Sequence, residues 1–469
     1  MSESELESPV LLPVVNERLD EDDRLRPEFV RKVLDRVEEG DSEGARQLVE
    51  PLHPADIADL FELVDSDQRR ALATALADML DGDVLAEMNE HVREQLIDAL
   101  EPHQVAEIAG EMETDDAVSI IEDMEEDDQR AVLRALDPDD RAAIEEALAY
   151  PEESAGRLMQ RDLIAVPEHW TIGQVIDFLR SDEELATEFW EVFVVDERHH
   201  PIGTCLLSWV LRTGRQVPVG DVMKREQTLI PVDMDQEEVA LRFQKYALIS
   251  AAVVDQSGRL VGMITVDDIV HIIQEEASED VLLLSGAGDG DINEPIRLTV
   301  RTRLMWLLVN LPTAMLAASV VHLFDAQIAK FAVLAVLMPI VAGMGGNAGT
   351  QTLAVAVRAI ATNQLTESNT IRAFGRELMI ALANGISLGL LIGVGVGLVF
   401  HNPLLGVVMG AAMVINNLVA GLAGVMVPIT LDRMRIDPAV SSAVFVTTCT
   451  DCLGFLSFLG LATLVGLGR

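Results

Sequence analysis

The sequence predicts a multidomain membrane protein, in which an all-α superhelical cytoplasmic domain and an α/β domain pair precede a five-helix transmembrane domain. Three observations support this fold class. The 469 residues carry a net charge of −44, divided unevenly between residues 1–296, at −48, and residues 297–469, at +4. Apolar segments long enough to cross a bilayer occur in the second part, and an internal repeat occurs in the first.

The amino-acid composition excludes several classes of protein. The strongly acidic part excludes a nucleic-acid-binding protein, because it would repel phosphate groups. Three cysteines are too few for a disulfide framework. No G-x-x-x-x-G-K-[ST] loop for ATP hydrolysis occurs, and we expect no enzyme activity. The basic residues are 30 arginines and four lysines, and so acidic a chain with so few lysines predicts a halophilic source, where salt screens the self-repulsion.

The first two segments of the chain are an acidic tail and a helical domain. Residues 1–27 begin MSESELES, with neither a basic region nor an apolar core, so we expect no cleavable signal peptide. Residues 28–150 show amphipathic helical spacing, which Asp, Pro or Gly interrupts every turn or two. Such short helices cannot bury a core singly, so they predict a stacked helical array.

Residues 151–275 contain an internal repeat of mixed helix and strand. Met159 recurs 64 residues later as Met223, and Phe193-Val-Val-Asp196 recurs 59 residues later as Ala252-Val-Val-Asp255. Each unit combines an amphipathic helix with β-rich apolar runs. The two units resemble a tandem pair of cystathionine-β-synthase-type (CBS) domains, which form a regulatory module.

The resemblance to CBS domains also bears on nucleotide binding. In that family a Thr or Ser, followed three residues later by Asp, often contacts the ribose of an adenine nucleotide. The second unit keeps this pattern at Thr265 and Asp268, whereas the first unit has Leu206 and Trp209 at the equivalent positions. This departure argues against ATP binding.

Residues 276–303 are predicted to form a connecting helix and linker, and the acidic helix begins before them. Helical spacing places its carboxylates on two adjoining ridges, with Asp268, Glu275 and Glu279 on one and Glu276 and Asp280 on the other. Stacked carboxylates repel each other unless cations lie between them. The pattern is consistent with a cation site and also with a salt-adapted surface.

Residues 304–469 are predicted to form a transmembrane domain in the lipid bilayer of the cell membrane. Five apolar segments reach the ~20 residues that a membrane helix needs: 304–324, 331–356, 378–400, 404–430 and 440–466. Eight arginines lie on one side of these segments, against Lys330 and Arg469 on the other, and this positive-inside bias places the acidic part in the cytoplasm. Five helices are few for enclosing a polar pathway, so we expect a homodimer with a shared pore.

Asp451 is the leading candidate for a functional residue in the membrane, because segment 440–466 contains no other Asp, Glu, Lys, Arg or His. A carboxylate in hydrocarbon costs a few kcal/mol or more unless it meets water or a cation. The alternative is a protonated structural Asp that bonds to a neighbouring helix. The surrounding oxygen donors, without His or a thiolate cluster, suit a hard divalent cation such as Mg²⁺ or Ca²⁺.

Two further positions in the membrane part are candidates. The second segment contains GMGGNAGTQT, in which glycines allow close backbone approach and Asn347 is one of four polar residues at membrane depth. The alternative is a helix-packing face of small residues with hydrogen-bonded polar groups. Asp437, beside Pro438 at the cytoplasmic start of the fifth segment, is either a helix N-cap or an ion contact.

The order of the domains, together with GMGGNAGTQT and TxTDxxGF, closely resembles the MgtE family of magnesium channels over roughly residues 50–466. The resemblance implies a homodimeric Mg²⁺-selective channel for passive influx, which cytosolic Mg²⁺ closes by binding to the acidic domains. It assigns Asp451 and Asn347 to the pore and Asp437 to its cytoplasmic mouth. The Mg²⁺-sensing residues that it implies are Asp83, Asp115, Asp235, Glu237, Asp268, Glu276, Glu279 and Asp280.

The sequence departs from the family pattern at three sensor positions. Ser119, Ala247 and His271 stand where the compared family sequence has carboxylates. We therefore expect the sensor to bind fewer regulatory ions, or to bind them more weakly.

Two other functions stay open from the sequence alone. An ion-coupled carrier or exporter of divalent cations often shows inverted repeats among its spans, and five unequal segments do not show them. A membrane-anchored Mg²⁺ or nucleotide sensor that transports nothing would have no need of Asp451 at mid-membrane.

Overall fold

The chain divides into two units, Met1–Ile273 and Gln274–Arg469, which are described separately. The computed structural model describes residues 18–181, 185, 189–285, 293–365, 369–440 and 442–467, apart from the side chains of Asp280 and Ser285. The predicted fold class is confirmed: a helical array and an α/β pair lie in the first unit, and membrane helices lie in the second.

The first unit begins with an array of short helices. These are α1 (Pro27–Glu38), α2 (Ser42–Val49), α3 (Pro54–Glu62), α4 (Ser66–Ala75), α5 (Gly82–Ala86), α6 (Glu90–Ile97), α7 (Pro102–Ala109), α8 (Thr114–Glu122), α9 (Glu126–Ala135) and α10 (Pro138–Ala147), with a 3-10 turn at Ala77–Met79. The Asp residues that interrupt the sequence pattern begin helices, since Asp41, Asp65 and Asp81 accept hydrogen bonds from backbone N–H groups of the first turn. The helices share one core around residues such as Phe61 and Leu72, as a stacked array requires.

The internal repeat folds as two sheets of the same topology. The strands are β1 (Ala165–Pro167), β2 (Glu191–Val195), β3 (Pro201–Leu206), β4 (Leu229–Pro231), β5 (Ser250–Val254) and β6 (Leu260–Thr265), and the helices are α11 (Ile172–Phe178), α12 (Leu207–Arg212), α13 (Val219–Val222) and α14 (Gln236–Tyr246). In each sheet the first two strands are parallel, the last two are antiparallel, and the register shifts at the equivalent pair, Val194/Val195 and Val253/Val254. The structure therefore confirms the repeat.

The two α/β units exchange backbone hydrogen bonds reciprocally. Gln160, before the first sheet, pairs with Met263 in the second sheet through two bonds of 2.9 Å. Lys224, at the equivalent position before the second sheet, pairs with Thr204 in the first. Each unit thus supplies the segment that extends its neighbour's sheet.

The connecting helix is longer than the sequence segmentation suggested. Helix α15 spans Val266–Ser285 as 20 continuous residues and begins directly after β6. Asp268 therefore lies in its first turn, while Glu276 and Glu279 lie on the part that belongs to the second unit.

The second unit holds the apolar helices. They are α16 (Ile296–His322), α17 (Asp325–Lys330), α18 (Val333–Ala361), α19 (Thr370–Val399), α20 (Pro403–Arg433) and α21 (Ser442–Leu464). All but the short α17 are long and apolar enough to cross a membrane, which agrees with the five predicted segments. Several helices extend beyond the apolar segments; α19, for example, begins at Thr370 rather than at residue 378, because polar residues prolong the helix outside the bilayer core.

Helix α20 is the centre of the membrane unit. Its inner face, including Met409 and Met413, is fully buried. Gly410 of α20 lies against the backbone of Gly389 of α19, so close that a Cβ at Gly410 would meet the Gly389 carbonyl oxygen at 2.8 Å. Only 6% of the most apolar 18-residue stretch of α16 is buried. The rest of the described chain therefore leaves most of the surface of α16 uncovered.

Candidate metal sites

An acidic cluster in the first unit forms where helix α8 approaches the start of α15. Asp115, in the first turn of α8, is buried with 9% exposure, and Glu113 and Asp116 flank it. Burial, and after it the negative charge of Asp268 on α15, raises the pKa of each of these three carboxyls. Two of the predicted sensor residues, Asp115 and Asp268, are therefore brought together.

Burial and mutual repulsion hold these carboxyls away from their ordinary titration range. Burial raises the pKa of Glu113 to about 7 and that of Asp116 to about 6, with Asp268 as the next cause in both cases. Burial and Asp268 likewise raise the pKa of Asp115 well above its usual value. The deprotonated cluster is thus unfavourable by itself, and a bound cation would relieve that cost.

The cluster also contains an unpaired oxygen. The buried Oδ1 of Asp115 has no hydrogen-bond partner among the described residues. Gln160 donates to Oε2 of Glu113 at 2.9 Å, and Thr265 donates to Oδ2 of Asp268 at 2.6 Å. Mg²⁺ takes oxygen ligands, so these side chains are of the chemical type that binds it.

The other predicted sensor residues contribute less directly. Asp83, exposed in the first turn of α5, adds to the raised pKa of Asp116. Asp235 is the N-cap of α14, where its Oδ1 accepts from the N–H of Glu237 at 3.0 Å. Among the described residues, no group of three or more His, Cys, Asp or Glu is arranged to hold a metal ion. The predicted sensor carboxylates lie near one another in pairs, but they do not form a chelating group.

The remaining sensor candidates lie along the second part of α15. Glu276 is half-buried and Glu279 is exposed. The backbone of Asp280 belongs to the helix, but its side chain lies outside the described part of the chain.

In the membrane unit, the two predicted pore residues lie on helices that touch. A Cβ on Gly349 of α18 would lie 2.6 Å from Val446 and 3.5 Å from Thr450 of α21. Asn347 is two residues from this contact on α18, and Asp451 is adjacent to Thr450 on α21. Asp451 is half-buried, while Asn347 is exposed on the single chain.

A polar face of α18 is left uncovered by its own chain. Asn347, Thr350 and Gln351 are all exposed, and helical spacing turns Asn347 and Gln351 roughly 160° away from Gly349, which contacts α21. Gly345 and Gly349 therefore pack against neighbouring helices, while Asn347 and Thr350 face outward.

Asp437 does not cap the last helix. Helix α21 begins at Ser442, five residues later, and Oδ1 of Asp437 accepts from the backbone N–H of Ala439 at 2.7 Å instead. The N-cap alternative is therefore wrong, and Asp437 is an exposed carboxylate before the helix.

Sequence reasoning missed two sets of polar residues. Glu113 and Asp116 flank Asp115, and the sequence itself shows this group of acidic residues at the start of a helix. Asn416 and Asn417 form a polar doublet within an apolar segment, and both are buried on α20. Nδ2 of Asn416 donates to the carbonyl oxygen of Val341 on α18 at 2.8 Å, so this side chain joins two membrane helices.

Comparison with known proteins identifies the family. Residues 338–461 match a family described as "Divalent cation transporter" (MgtE), residues 52–153 match "MgtE intracellular N domain", and residues 219–275 match "CBS domain". The magnesium transporter MgtE of Enterococcus faecalis is 34% identical over 424 residues, which cover 89% of this chain and 93% of that protein. The chain belongs to the MgtE family of magnesium transporters. The MgtE of Thermus thermophilus is 31% identical, over 92% of this chain and 96% of that protein.

Solved structures of MgtE soluble parts also match the chain. The cytosolic domain of the Mg²⁺ channel MgtE in complex with ATP is 29% identical, covers 52% of this chain and 99% of that chain, and has a TM-score of 0.48. Membership of the MgtE family makes this chain a multi-pass membrane protein that transports divalent cations, with its soluble part in the cytosol, and not an enzyme.

Proposed function

We propose that this MgtE-family protein is a homodimeric Mg²⁺ channel for influx, which cytosolic Mg²⁺ closes. Two observations carry the pore assignment: Asp451 is half-buried on α21, and the neighbouring helix α18 leaves Asn347 exposed on a polar face that its own chain does not cover. Polar groups that face lipid cost several kcal/mol each. A second copy of the chain that encloses an aqueous path against this face would remove that cost.

The chemistry of the path suits magnesium. Asp451 supplies one carboxylate per chain, and Asn347 supplies an amide oxygen. Mg²⁺ loses its water reluctantly, so a small number of charged and amide groups can select it through its hydration shell. Two copies would contribute two carboxylates around one ion.

The proposed gate uses the acidic cluster of the first unit. Mg²⁺ bound between Asp115 and Asp268 would neutralise carboxyls that otherwise repel each other, and so would favour the compact, closed state. The ion shifts the population only through its higher affinity for that state. The raised pKa values of Glu113, Asp115 and Asp116 support this proposal, because burial and, after it, repulsion from Asp268 cause them, and a bound ion would offset both.

Adenine-nucleotide binding is not part of the proposal. The Thr and Asp pattern occurs in the second CBS unit alone, where the hydroxyl of Thr265 already donates to Asp268. Asp268 also belongs to the acidic cluster, so a nucleotide at this position would engage a residue that we assign to Mg²⁺ sensing.

The test is Mg²⁺ flux into liposomes that contain the full chain, with and without Mg²⁺ on the side of the soluble domains. We expect passive uptake that this Mg²⁺ suppresses. Asp451→Ala should abolish uptake and leave a folded dimer, as judged by gel filtration. Normal uptake in that variant would refute the pore assignment. Slow, saturable flux without single-channel currents would favour an ion-coupled carrier instead.

A further inference from the structure

A polar cavity of about 220 Å³ lies in the membrane unit between α18, α19 and α20. Its polar lining residues are Gln351, Thr352, Arg376, Glu377, Asn384 and Asn417. Two small residues, Gly421 of α20 and Ala348 of α18, also line it. Polar groups at membrane depth must be satisfied by a partner, water or an ion.

Glu377 holds a negative charge inside this cavity. Its side chain is 14% exposed, whereas that of the adjacent Arg376 is 73% exposed, and the two are joined by a long ion pair of 3.6 Å between Nη1 and Oε1. An arginine near a helix end can extend its guanidinium group towards the aqueous interface. The carboxylate thus stays within the cavity, while its neutralising partner lies at the rim.

Asn417 supplies an independent sign of a ligand. It is 1% exposed and lines the cavity. Its Nδ2 donates to the carbonyl oxygen of Met413 at 2.9 Å, and the described residues offer no partner for its Oδ1. The cavity therefore presents an amide oxygen and a carboxylate, together with the oxygens of Gln351 and Thr352, which are ligands of a hard cation.

The size of the cavity matches a cation that keeps its water. A water molecule occupies roughly 30 Å³ in the liquid, so six of them need about 180 Å³. A larger groove of about 590 Å³ between α19 and α20 is lined by apolar residues and glycines, such as Leu390 and Val407, and offers no side-chain ligand.

We propose that this cavity is a second cation-binding site, which holds a divalent cation with most of its hydration water between Glu377 and Asn417. Gln351 lies four residues beyond Asn347 on α18, about 6 Å nearer the cytoplasmic end. The site therefore lies on the cytoplasmic side of Asn347, where an entering ion would bind after it has passed the level of the pore residues. Conduction through several weak sites is how channels combine selectivity with rapid release. This role rests on the proposed channel function.

The test uses crystals of the full chain soaked in Mn²⁺, whose anomalous scattering locates the ion, together with Mg²⁺ uptake into liposomes. We expect an anomalous peak between Glu377 and Asn417, which Glu377→Gln removes. The same variant should raise the half-saturating Mg²⁺ concentration for uptake by about tenfold or more, as loss of one charged contact predicts. Arg376→Gln removes the competing positive charge. It should strengthen the anomalous peak and lower the half-saturating Mg²⁺ concentration.

Controls separate this site from the pore. Asp432→Asn removes an exposed carboxylate at the cytoplasmic end of α20 and should leave both readouts unchanged. If Glu377→Gln does not fold, Gln351→Ala at an exposed position should weaken the same peak. No peak in the wild type, a lipid headgroup in the cavity, or a peak that survives Glu377→Gln would overturn the proposal. Failure of the channel function would appear separately, as normal uptake in Asp451→Ala.

Discussion

Arg93 on α6 donates a hydrogen bond of 3.1 Å to the hydroxyl of Ser119 on α8. The same guanidinium forms an ion pair of 2.9 Å with Asp123, and its side chain is only 10% exposed. Ser119 is one of the positions where the family pattern has a carboxylate. A fixed positive charge thus lies beside a position where the related sensor would carry a negative one.

Replacing Ser119 with Asp should strengthen the Mg²⁺ response. The new carboxylate, one helical turn from Asp115, adds a ligand, and the neighbouring Arg93 neutralises only part of its charge. We expect Ser119→Asp to lower the Mg²⁺ concentration that half-closes the channel by about threefold or more, as an added charged contact of roughly 1 kcal/mol predicts.

The matched control for this change is Thr74→Asp, at an exposed position on α4 of the same array. Closure by Mg²⁺ is measured as flux at graded Mg²⁺ concentrations. An equal effect of both substitutions would mean that total charge, rather than the cluster at α8, sets the response.

Asp116 makes the stability of the cytosolic unit depend on pH. Its pKa is about 6 in the folded protein against an ordinary 3.8, so the folded state binds the proton more tightly than the unfolded state. The free energy of unfolding should therefore fall as pH rises from about 4 to about 6, and stay lower above that range. Asp116→Asn should raise it by about 1 kcal/mol at pH near 7.5, without divalent ions, and by less at pH near 5.

Thermal unfolding of the detergent-solubilised chain in a chelator measures this effect. Asp127→Asn on α9, whose side chain is 93% exposed, is the matched control and should change little. The prediction fails if the Asp116 variant is no more stable than wild type near neutral pH.

Gly349 is needed for the contact between α18 and α21. A Cβ at this position would lie 2.6 Å from Cγ1 of Val446, closer than side-chain atoms can approach. Gly349→Ala should destabilise the membrane unit by about 1–3 kcal/mol, as overpacking does, and lower uptake. Gly395→Ala on α19, where the added methyl meets open space, should have neither effect. Melting temperatures and uptake of the two variants provide the comparison.

Ionic strength should alter the gate. Raising salt from about 0.1 M to about 1 M shortens the screening length from about 10 Å to about 3 Å, which weakens repulsion among the acidic residues. We expect a smaller open fraction without Mg²⁺ at high salt, and a changed Mg²⁺ concentration for half-closure. Vesicle flux at matched osmolarity measures both quantities. The same half-closing concentration at both salt levels would show that electrostatic repulsion does not drive opening.

Much of the fold was predictable because its signals are periodic and local. Apolar length predicted the membrane helices, and the recurrence of Phe193-Val-Val-Asp196 at Ala252 predicted two equivalent sheets. Helix ends were less predictable, since residues such as Thr370 extend a helix beyond its apolar core. The start of α21 at Ser442 rather than at Pro438 also removed the capping role expected for Asp437.

The candidate sites were predictable only in part. Single residues such as Asp451 and Asn347 stand out against apolar neighbours, and the sequence was sufficient to select them. The pairing of Asp115 with Asp268 depends on contacts between residues more than 150 positions apart, which spacing does not encode. The cavity at Glu377 needs three helices to exist at all, so no single segment predicted it.

Asn416 and Asn417 are neighbours on α20, yet they point to different surroundings. Asn416 is bonded to α18 at Val341, whereas Asn417 lines the cavity with Glu377. A rigid-body rotation of α20 about its axis would turn both amide side chains through the same angle. A rotation of α20 that breaks the bond between Asn416 and Val341 would therefore also move Asn417 and change the wall of the cavity.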